Sequence, residues 1–441
     1  MPPPGSKLPW TDRISLAMAS RLLVLSNGHG EDLIAERLID ALAKRQPAIE
    51  IVALPLVGEG NAFAAAEAAG KLRRIGPLQP LPSGGFSNQS LGGLVRDLAA
   101  GLAGLSWRQW RLVRRWGKSG APMLAVGDLL PLLLAWAGGG PYGFIGTPKS
   151  DYTWATPPPP GWPGQLWDLL ADAYHRGKGS EWDPWEWALM DRPRCRLVAV
   201  RDGLTARGLR RHGVAALAAG NPMMDGLAQQ SPQAWLDGDG QGPLLLLPGS
   251  RLPEALTNSR RLLAALVALA ELRGPQPLTA LLASGARPDA QELAPLLEAA
   301  GFLAQEPSPA ARASGAVACW RRQRLQLWIG PGCFQRWAPW CSAGLATAGT
   351  ATEQLVGLGI PALSIPGPGP QFQAGFARRQ SRLLGGAVLP CRTPLEAAQQ
   401  LAQLLADPER QRRLGRIGRA RMGGAGASER LAALIERRLL G

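Results

Sequence analysis

The sequence predicts an α/β protein of two Rossmann-like domains that face each other across a cleft. Three observations carry this. Apolar runs of strand length alternate with longer Ala-, Leu- and Arg-rich segments of helix length. The rhythm breaks at a polar stretch around residues 229–242 and then restarts. In both halves a glycine turn directly follows an apolar run, and open α/β sheets present ligands at such strand ends. With 441 residues, 46% of them hydrophobic, the chain is long enough for two cores. The first domain is expected over residues 19–228, with a Trp- and Pro-rich insertion at about 142–190, and the second over 243–425. Residues 426–441 are expected to form a helix that crosses back onto the first domain, and residues 1–18 a disordered tail.

The first half opens on Leu22-Leu23-Val24-Leu25, a buried-strand run that ends in Ser26-Asn27-Gly28-His29-Gly30-Glu31-Asp32. The apolar spacing then predicts an amphipathic helix over 33–45 and a strand over 49–56, a βαβ opening. A helix over 58–70, a short strand over 73–75 and a Pro/Gly/Ser loop to about 89 follow. A long helix over 91–117 carries Trp107, Trp110 and basic residues, and a strand over 122–127 ends at Asp128. From Tyr142 to Glu186 the pattern is irregular, with four consecutive prolines and many tryptophans. A strand over 195–200 leads into Arg201-Asp202-Gly203 and a helix to about 212. Gly220-Asn221-Pro222-Met223-Met224-Asp225 closes this half.

The second half begins with Leu244-Leu245-Leu246-Leu247-Pro248-Gly249-Ser250-Arg251, with Glu254 in the first turn of a helix that runs to about 273. Strands are expected over 278–283, near 317 and over 325–329, and a helix over 289–300. Ala346-Thr347-Ala348-Gly349-Thr350-Ala351-Thr352-Glu353-Gln354 then reads as strand, glycine turn and helix, followed by a short strand near Leu363. Helices are expected over 394–405, 408–421 and 429–440. A helix that opens on a glycine turn aims backbone N–H groups and a positive dipole end at an anion. Arg251 suits a diphosphate because its planar fork donates two parallel hydrogen bonds.

The net charge is +15, which fits anionic lipid or phosphorylated substrates; no basic, aromatic-interleaved module of a nucleic-acid reader is visible. Five scattered cysteines without a C-x-x-C pair point to reduced thiols in a cytoplasmic protein. They offer no zinc spacing with the three histidines, and no metal is expected. No segment reads as a secretory signal or a membrane-spanning helix, so any membrane contact is expected to be peripheral, at the inner face of the cytoplasmic membrane.

Pro248-Gly249-Ser250-Arg251-x-x-Glu254, Gly349-Thr350-Ala351-Thr352 and Gly220-x-Pro222-x-x-Asp225 resemble, in order and approximate spacing, the lipid-A-disaccharide synthase-related proteins. The resemblance covers the second half well and the first half loosely. It implies a GT-B glycosyltransferase fold, a UDP-sugar donor as co-substrate and no other cofactor. It also implies a lipid-linked or amphiphilic acceptor. On that resemblance Gly249, Ser250, Arg251, Glu254, Gly349, Thr350, Ala351 and Thr352 hold the donor. The family's loop continues Leu-Glu where this chain has Glu353-Gln354, so Glu353 is expected to replace the acid, with Gln354 in its place. The family's Gly-His-Pro is Gly220-Asn221-Pro222 here, which puts Asn221 among the binding residues. Pro370-Gln371-Phe372-Gln373 is similar to the sugar-recognising Gln-rich segment of GT-B enzymes, with Gln371 and Gln373 as donors to sugar hydroxyls.

Transfer also needs a base for the acceptor hydroxyl. His29, between Gly28 and Gly30 at a strand end, is the first choice, with Asp128 as alternative or partner and Asp32 as a further candidate. Glu31 or Asp32 is expected to orient His29. His175 and His212 are read as structural or solvated. The Trp cluster is read mainly as core packing, with an apolar acceptor surface or membrane-facing rim as the other reading. Two other functions remain open: a catalytically inactive relative that binds a nucleotide or anionic lipid, and a UDP-sugar 2-epimerase.

Overall fold

Leu22 to Leu25 are almost completely enclosed, as a central parallel strand covered on both faces requires. In the computed structural model, which describes residues 20–77, 102–227, 242–369 and 372–441, they belong to β1 (Arg21–Ser26). With it run β2 (Glu50–Pro55), β3 (Arg73–Arg74), β4 (Met123–Gly127), β5 (Tyr142–Gly146), β6 (Cys195–Val200) and β7 (Ala216–Ala218). They form one parallel sheet in the order β3-β2-β1-β4-β5-β6-β7. One face packs on the helix His29–Arg45, the other on the helices Leu102–Lys118, Leu129–Gly138, Pro184–Met190 and Gly203–Arg211.

The second sheet holds β8 (Leu244–Leu247), β9 (Leu278–Leu282), β10 (Leu303–Gln305), β11 (Ala318–Arg322), β12 (Leu325–Ile329), β13 (Ala343–Ala346), β14 (Ala362–Ser364) and β15 (Val388–Pro390). Its order is β10-β11-β12-β9-β8-β13-β14-β15, parallel except at the β10-β11-β12 edge. Among the described strands none is shared between the two sheets, so the chain has the expected two α/β halves. The helix Ala427–Ile435 returns to the first sheet. Leu431, Ala432, Ile435 and Leu439 share a core with Leu22, Ile34 and Leu38. Asp225 caps that helix: its carboxylate accepts the N–H groups of Gly426, Ala427 and Ser428.

Several local expectations are corrected. Tyr142–Gly146 is a central strand, not the start of the insertion. Gly143 and Gly146 weaken its strand signal, yet a Cβ on Gly146 would lie 2.6 Å from the Trp182 ring, so the fold needs a bare backbone there. The irregular stretch contains the helices Tyr152–Ala155, Leu166–Lys178 and Pro184–Met190. The first helix starts at His29, four residues earlier than expected, because Gly28 at φ 140° turns the chain at once. The segment 58–70 holds only a 3-10 turn, Asn61–Phe63, and a short helix, Ala64–Ala68. The short strands β7, β10 and β15 are too brief to leave an alternation in sequence. The tail at 1–18, the loop before residue 89, the first part of the helix expected from residue 91 and nearly all of the 229–242 linker lie outside the described residues.

His212 stacks on Trp187 and its Nε2 contacts the Lys178 carbonyl at 2.8 Å; His175 Nδ1 contacts the Ser180 carbonyl at 3.2 Å. The tryptophans divide. Trp182 is fully buried edge-on against Phe144, whereas Trp167 and Trp185 are exposed. All five cysteines are unpaired, four of them buried.

Candidate functional site

Strand order decides where the loops meet. In the first sheet the order reverses between β1 and β4; in the second it reverses between β8 and β13. A crevice opens at the carboxyl ends of strands at such a reversal. The four loops that follow these strands carry Gly28–Asp32, Asp128, Pro248–Arg251 and Thr347–Thr352.

On the first-domain side, Asn27 bridges the crevice. Its Nδ2 donates to Asp128 Oδ1 at 2.6 Å, and the same oxygen accepts the Leu130 N–H, capping the helix Leu129–Gly138. A Cβ on Gly127 would lie 2.2 Å from Asn27 Oδ1, so this contact needs glycine. Asp32 is buried and accepts the Ser26 hydroxyl at 2.5 Å; burial pushes its carboxyl up to about 6, against the pull of that hydroxyl and the Gly28 backbone. The backbone of His29 opens the helix. Glu31 folds over Gly28, and its carboxyl is pushed up to about 7. Burial is the main cause, opposed by its own backbone N–H and reinforced by Asp128, Asp32 and Glu353.

On the second-domain side, β8 and β13 pair in register, Leu247 beside Ala346, so their loops leave the sheet together. A Cβ on Gly249, which sits at φ 92°, would lie 3.8 Å from the Thr347 carbonyl oxygen. Ser250 abuts Gly285. Arg251 is partly buried; burial lowers its pKa, opposed by Glu254 and by Glu31 of the other domain. The helix Thr350–Gly357 opens at Gly349 with no side-chain cap. Gln380, which the sequence reading missed, supports this turn by donating to the carbonyls of Ala348 and Gly349, both at 3.2 Å. Thr352 donates its hydroxyl back to the Ala348 carbonyl, and Ala351 packs on the core.

The two sides meet. A Cβ on Gly30 would lie 3.5 Å from Thr350 Oγ1. Glu353 pairs with Arg201 at 2.8 Å, and Gln354 donates to the Met223 carbonyl at 2.7 Å. The acid and amide expected to face the donor therefore join the domains in this structure. Arg201, like Asp128, sits at the carboxyl end of its strand, and nothing in the sequence marks its partner. Asn221 Oδ1 accepts the Met223 N–H, holding the turn to which Gln354 binds. Glu254 is nearly buried and accepts the Phe372 N–H at 3.0 Å, so it secures the chain entering the Gln-rich segment. Gln373 is exposed at the start of the helix Ala374–Leu383, and Gln371 lies outside the described residues.

The Glu31 carboxyl makes stability depend on pH. Its pKa, ordinarily 4.5, is raised to about 7 in the folded chain. Below 4.5 it is protonated in both states; between 4.5 and 7 the folded chain keeps a proton that the unfolded chain has already lost, so stability falls across that window and levels off above 7. Glu31→Gln is therefore expected to remove up to about 3 kcal/mol of the stability difference between pH 5 and pH 8. Urea unfolding of both proteins at the two pH values checks this; equal pH slopes would refute it.

No protein-family model and no curated protein matches this sequence. Solved structures do. MnaA from S. aureus, in a co-structure with UDP, is 13% identical with a TM-score of 0.56, over 95% of this chain and 96% of that one. MurG from Acinetobacter baumannii is 14% identical with a TM-score of 0.53, over 95% and 99%. The UDP-GlcNAc 2-epimerase of Neisseria meningitidis, bound to UDP-GlcNAc, is 12% identical with a TM-score of 0.52, over 95% and 100%. At such identities the shared property is the fold, and this chain has the GT-B arrangement of two Rossmann-like domains along nearly its whole length.

Proposed function

We propose that this protein is a GT-B glycosyltransferase that moves a sugar from a UDP-sugar to a lipid-linked or amphiphilic acceptor, as in the lipid-A-disaccharide synthase-related proteins its motifs resemble. The observation that carries the reading is the meeting of four strand-end loops at two topological switch points. Arg251 and the Gly349 helix start lie on one side, with Gly30, Glu31 and Asp128 on the other. The UDP and UDP-GlcNAc complexes among structures of the same fold support a UDP-sugar donor.

In this reading Arg251 and the backbone N–H groups of Gly349–Thr352 receive the diphosphate. They stabilise the charge that grows on it as the sugar C1–O bond breaks, so the leaving group needs no metal. The acceptor oxygen attacks C1, UDP departs with the bonding electrons, and the acceptor proton passes to His29, with Asp128 as partner or replacement. Asp32, anchored on Ser26, holds the first turn in place and is the remaining proton acceptor. Ser250, beside the Gly249 turn, and Gln373, exposed at the start of the helix Ala374–Leu383, shape the donor and sugar side of the cleft, while Glu254, Asn221, Glu353 and Gln354 support its walls through their contacts with Phe372, Met223 and Arg201.

Arg251→Ala is expected to weaken UDP binding by about tenfold or more, and Arg251→Lys by less, because lysine keeps the charge but loses the fork. Calorimetry with UDP checks this; unchanged affinity in both variants would remove Arg251 from the site. A second reading, a UDP-sugar 2-epimerase, is favoured by the carboxylates of Glu31, Asp32, Asp128 and Glu353 gathered at the cleft. Sugar interconversion without acceptor would establish it. UDP release that requires an acceptor would establish the transferase, and UDP binding with neither reaction an inactive relative.

A further inference from the structure

The chain between β5 and β6 is rooted in the first domain and fastened to the second. At its start Ser150 donates to Asp202 at 2.7 Å, and the Asp151 carboxylate accepts the Glu181 N–H at 2.7 Å. At its end Lys149 pairs with buried Glu186 at 2.6 Å, and Trp182 fills the first-domain core. Its middle crosses to the second-domain helix Ala374–Leu383, which packs on the helix Tyr152–Ala155. Arg382 of that helix pairs with Asp172 at 2.6 Å and donates to the carbonyls of Thr156 and Trp154. Arg378 pairs with Asp168 at 2.5 Å. Arg421, from the helix Pro408–Met422, lies 3.7 Å over the Tyr152 ring.

The other side of the same helix carries the Gly349 turn. Gln380 is buried and holds the carbonyls of Ala348 and Gly349. Phe376, one turn earlier, faces Gly349: a Cβ there would lie 3.8 Å from the ring. At about 3.6 residues per turn, Phe376 and Gln380 share one side of the helix and Arg378 and Arg382 the other, roughly 200° away. The helix is therefore held between the Gly349 turn and the insertion, with engaged side chains on both sides.

We propose that the insertion is an interdomain strap whose docking on Arg378 and Arg382 positions the Gly349 turn, so that strap docking and UDP binding favour each other. A helix with fixed partners on two faces moves as one body, and the Gly349 carbonyls follow Gln380. With the strap released, one side of the helix loses two ion pairs and the carbonyls that brace it, and the turn loses the support behind Gln380. Asp168, Asp172, Arg378 and Arg382 act through Gln380 and are positioning residues. Coupling of this kind is reciprocal: whatever the docked strap adds to UDP affinity, bound UDP adds to strap docking. The UDP half of the inference rests on the UDP-sugar reading; the link from strap to turn does not.

Asp168→Lys/Asp172→Lys in the full chain sets like charges against Arg378 and Arg382 and is expected to release the strap, read as faster proteolysis of 152–178. Hydrogen exchange at 349–354, measured without nucleotide, is expected to speed up with it, and calorimetry is expected to show UDP affinity about tenfold weaker. In the unaltered chain, saturating UDP is expected to slow proteolysis of 152–178 by a similar factor. A strap that only holds the insertion in place would be released with exchange at 349–354 unchanged, and that result would overturn the proposal. So would UDP that binds the unaltered chain without protecting 152–178, a measurement that decides the matter even where the variant does not fold. A chain that binds no UDP overturns the UDP-sugar reading instead, and the exchange comparison then decides the link from strap to turn.

Discussion

Replacing His29 by Ala or Gln is expected to lower sugar transfer by about a hundredfold or more while UDP binding stays nearly intact. The residue opens the helix that follows β1, beside the reversal of strand order and next to Gly30, which faces Thr350 across the cleft. A ring nitrogen of a neutral imidazole can take the acceptor proton. In the proposed reading the donor is held from the other domain, so the loss should fall on turnover and not on UDP affinity. Asp128→Asn discriminates. Its carboxylate receives the Asn27 amide and the Leu130 N–H, so the substitution also disturbs the crevice wall, and unfolding must be followed in parallel. Full transfer activity in His29→Ala together with its loss in Asp128→Asn would assign the base to Asp128.

Arg382→Ala is expected to have the largest effect on stability, about 3 kcal/mol or more. Its side chain is 1% exposed and fully engaged. Nη1 reaches both Asp172 oxygens at 2.7 and 2.6 Å, Nε donates to the Thr156 carbonyl and Nη2 to the Trp154 carbonyl. Truncation leaves Asp172 and two carbonyls without their cation, and removing one partner of an enclosed ion pair costs far more than the pair contributes net. Arg382→Lys should recover only part of the loss, since one ammonium cannot replace the fork. Urea unfolding measures the change, and limited proteolysis of 152–178 should show that segment released first. A loss under about 1 kcal/mol would mean that the insertion is held mainly by its other contacts. Those include Arg378 to Asp168 and Arg392 over the Trp162 ring.

Much of this architecture was legible in the sequence because its causes are local. Leu22–Leu25 and Leu244–Leu247 are continuous apolar runs, which parallel strands covered on both faces need. The Gly28 and Gly349 turns mark where strands hand over to helices, and the positive φ of Gly28 and Gly249 is a backbone requirement that glycine meets. The Tyr142–Gly146 strand was hidden because its glycines answer to Trp182, far along the chain, and not to strand propensity. Helix Leu129–Gly138 is apolar nearly all round and so shows no period to read.

The sequence by itself determined two α/β halves and the glycine turns of the Pro248–Arg251 and Gly349–Thr352 loops at their strand ends. Only the tertiary structure decided which of these meet. Strand order brings Gly249 beside Thr347 and Gly30 opposite Thr350. It also commits Glu353 to Arg201, Gln354 to Met223 and Glu254 to Phe372. Tertiary packing likewise turns Asp168 and Asp172 inward and leaves Trp167 and Leu170 in solvent, against the helix's own amphipathic pattern. The physical reason is range. Strand and turn signals come from neighbours within a few residues, whereas these contacts join positions as far apart in the chain as Gly30 and Thr350 and depend on how two sheets are ordered and faced.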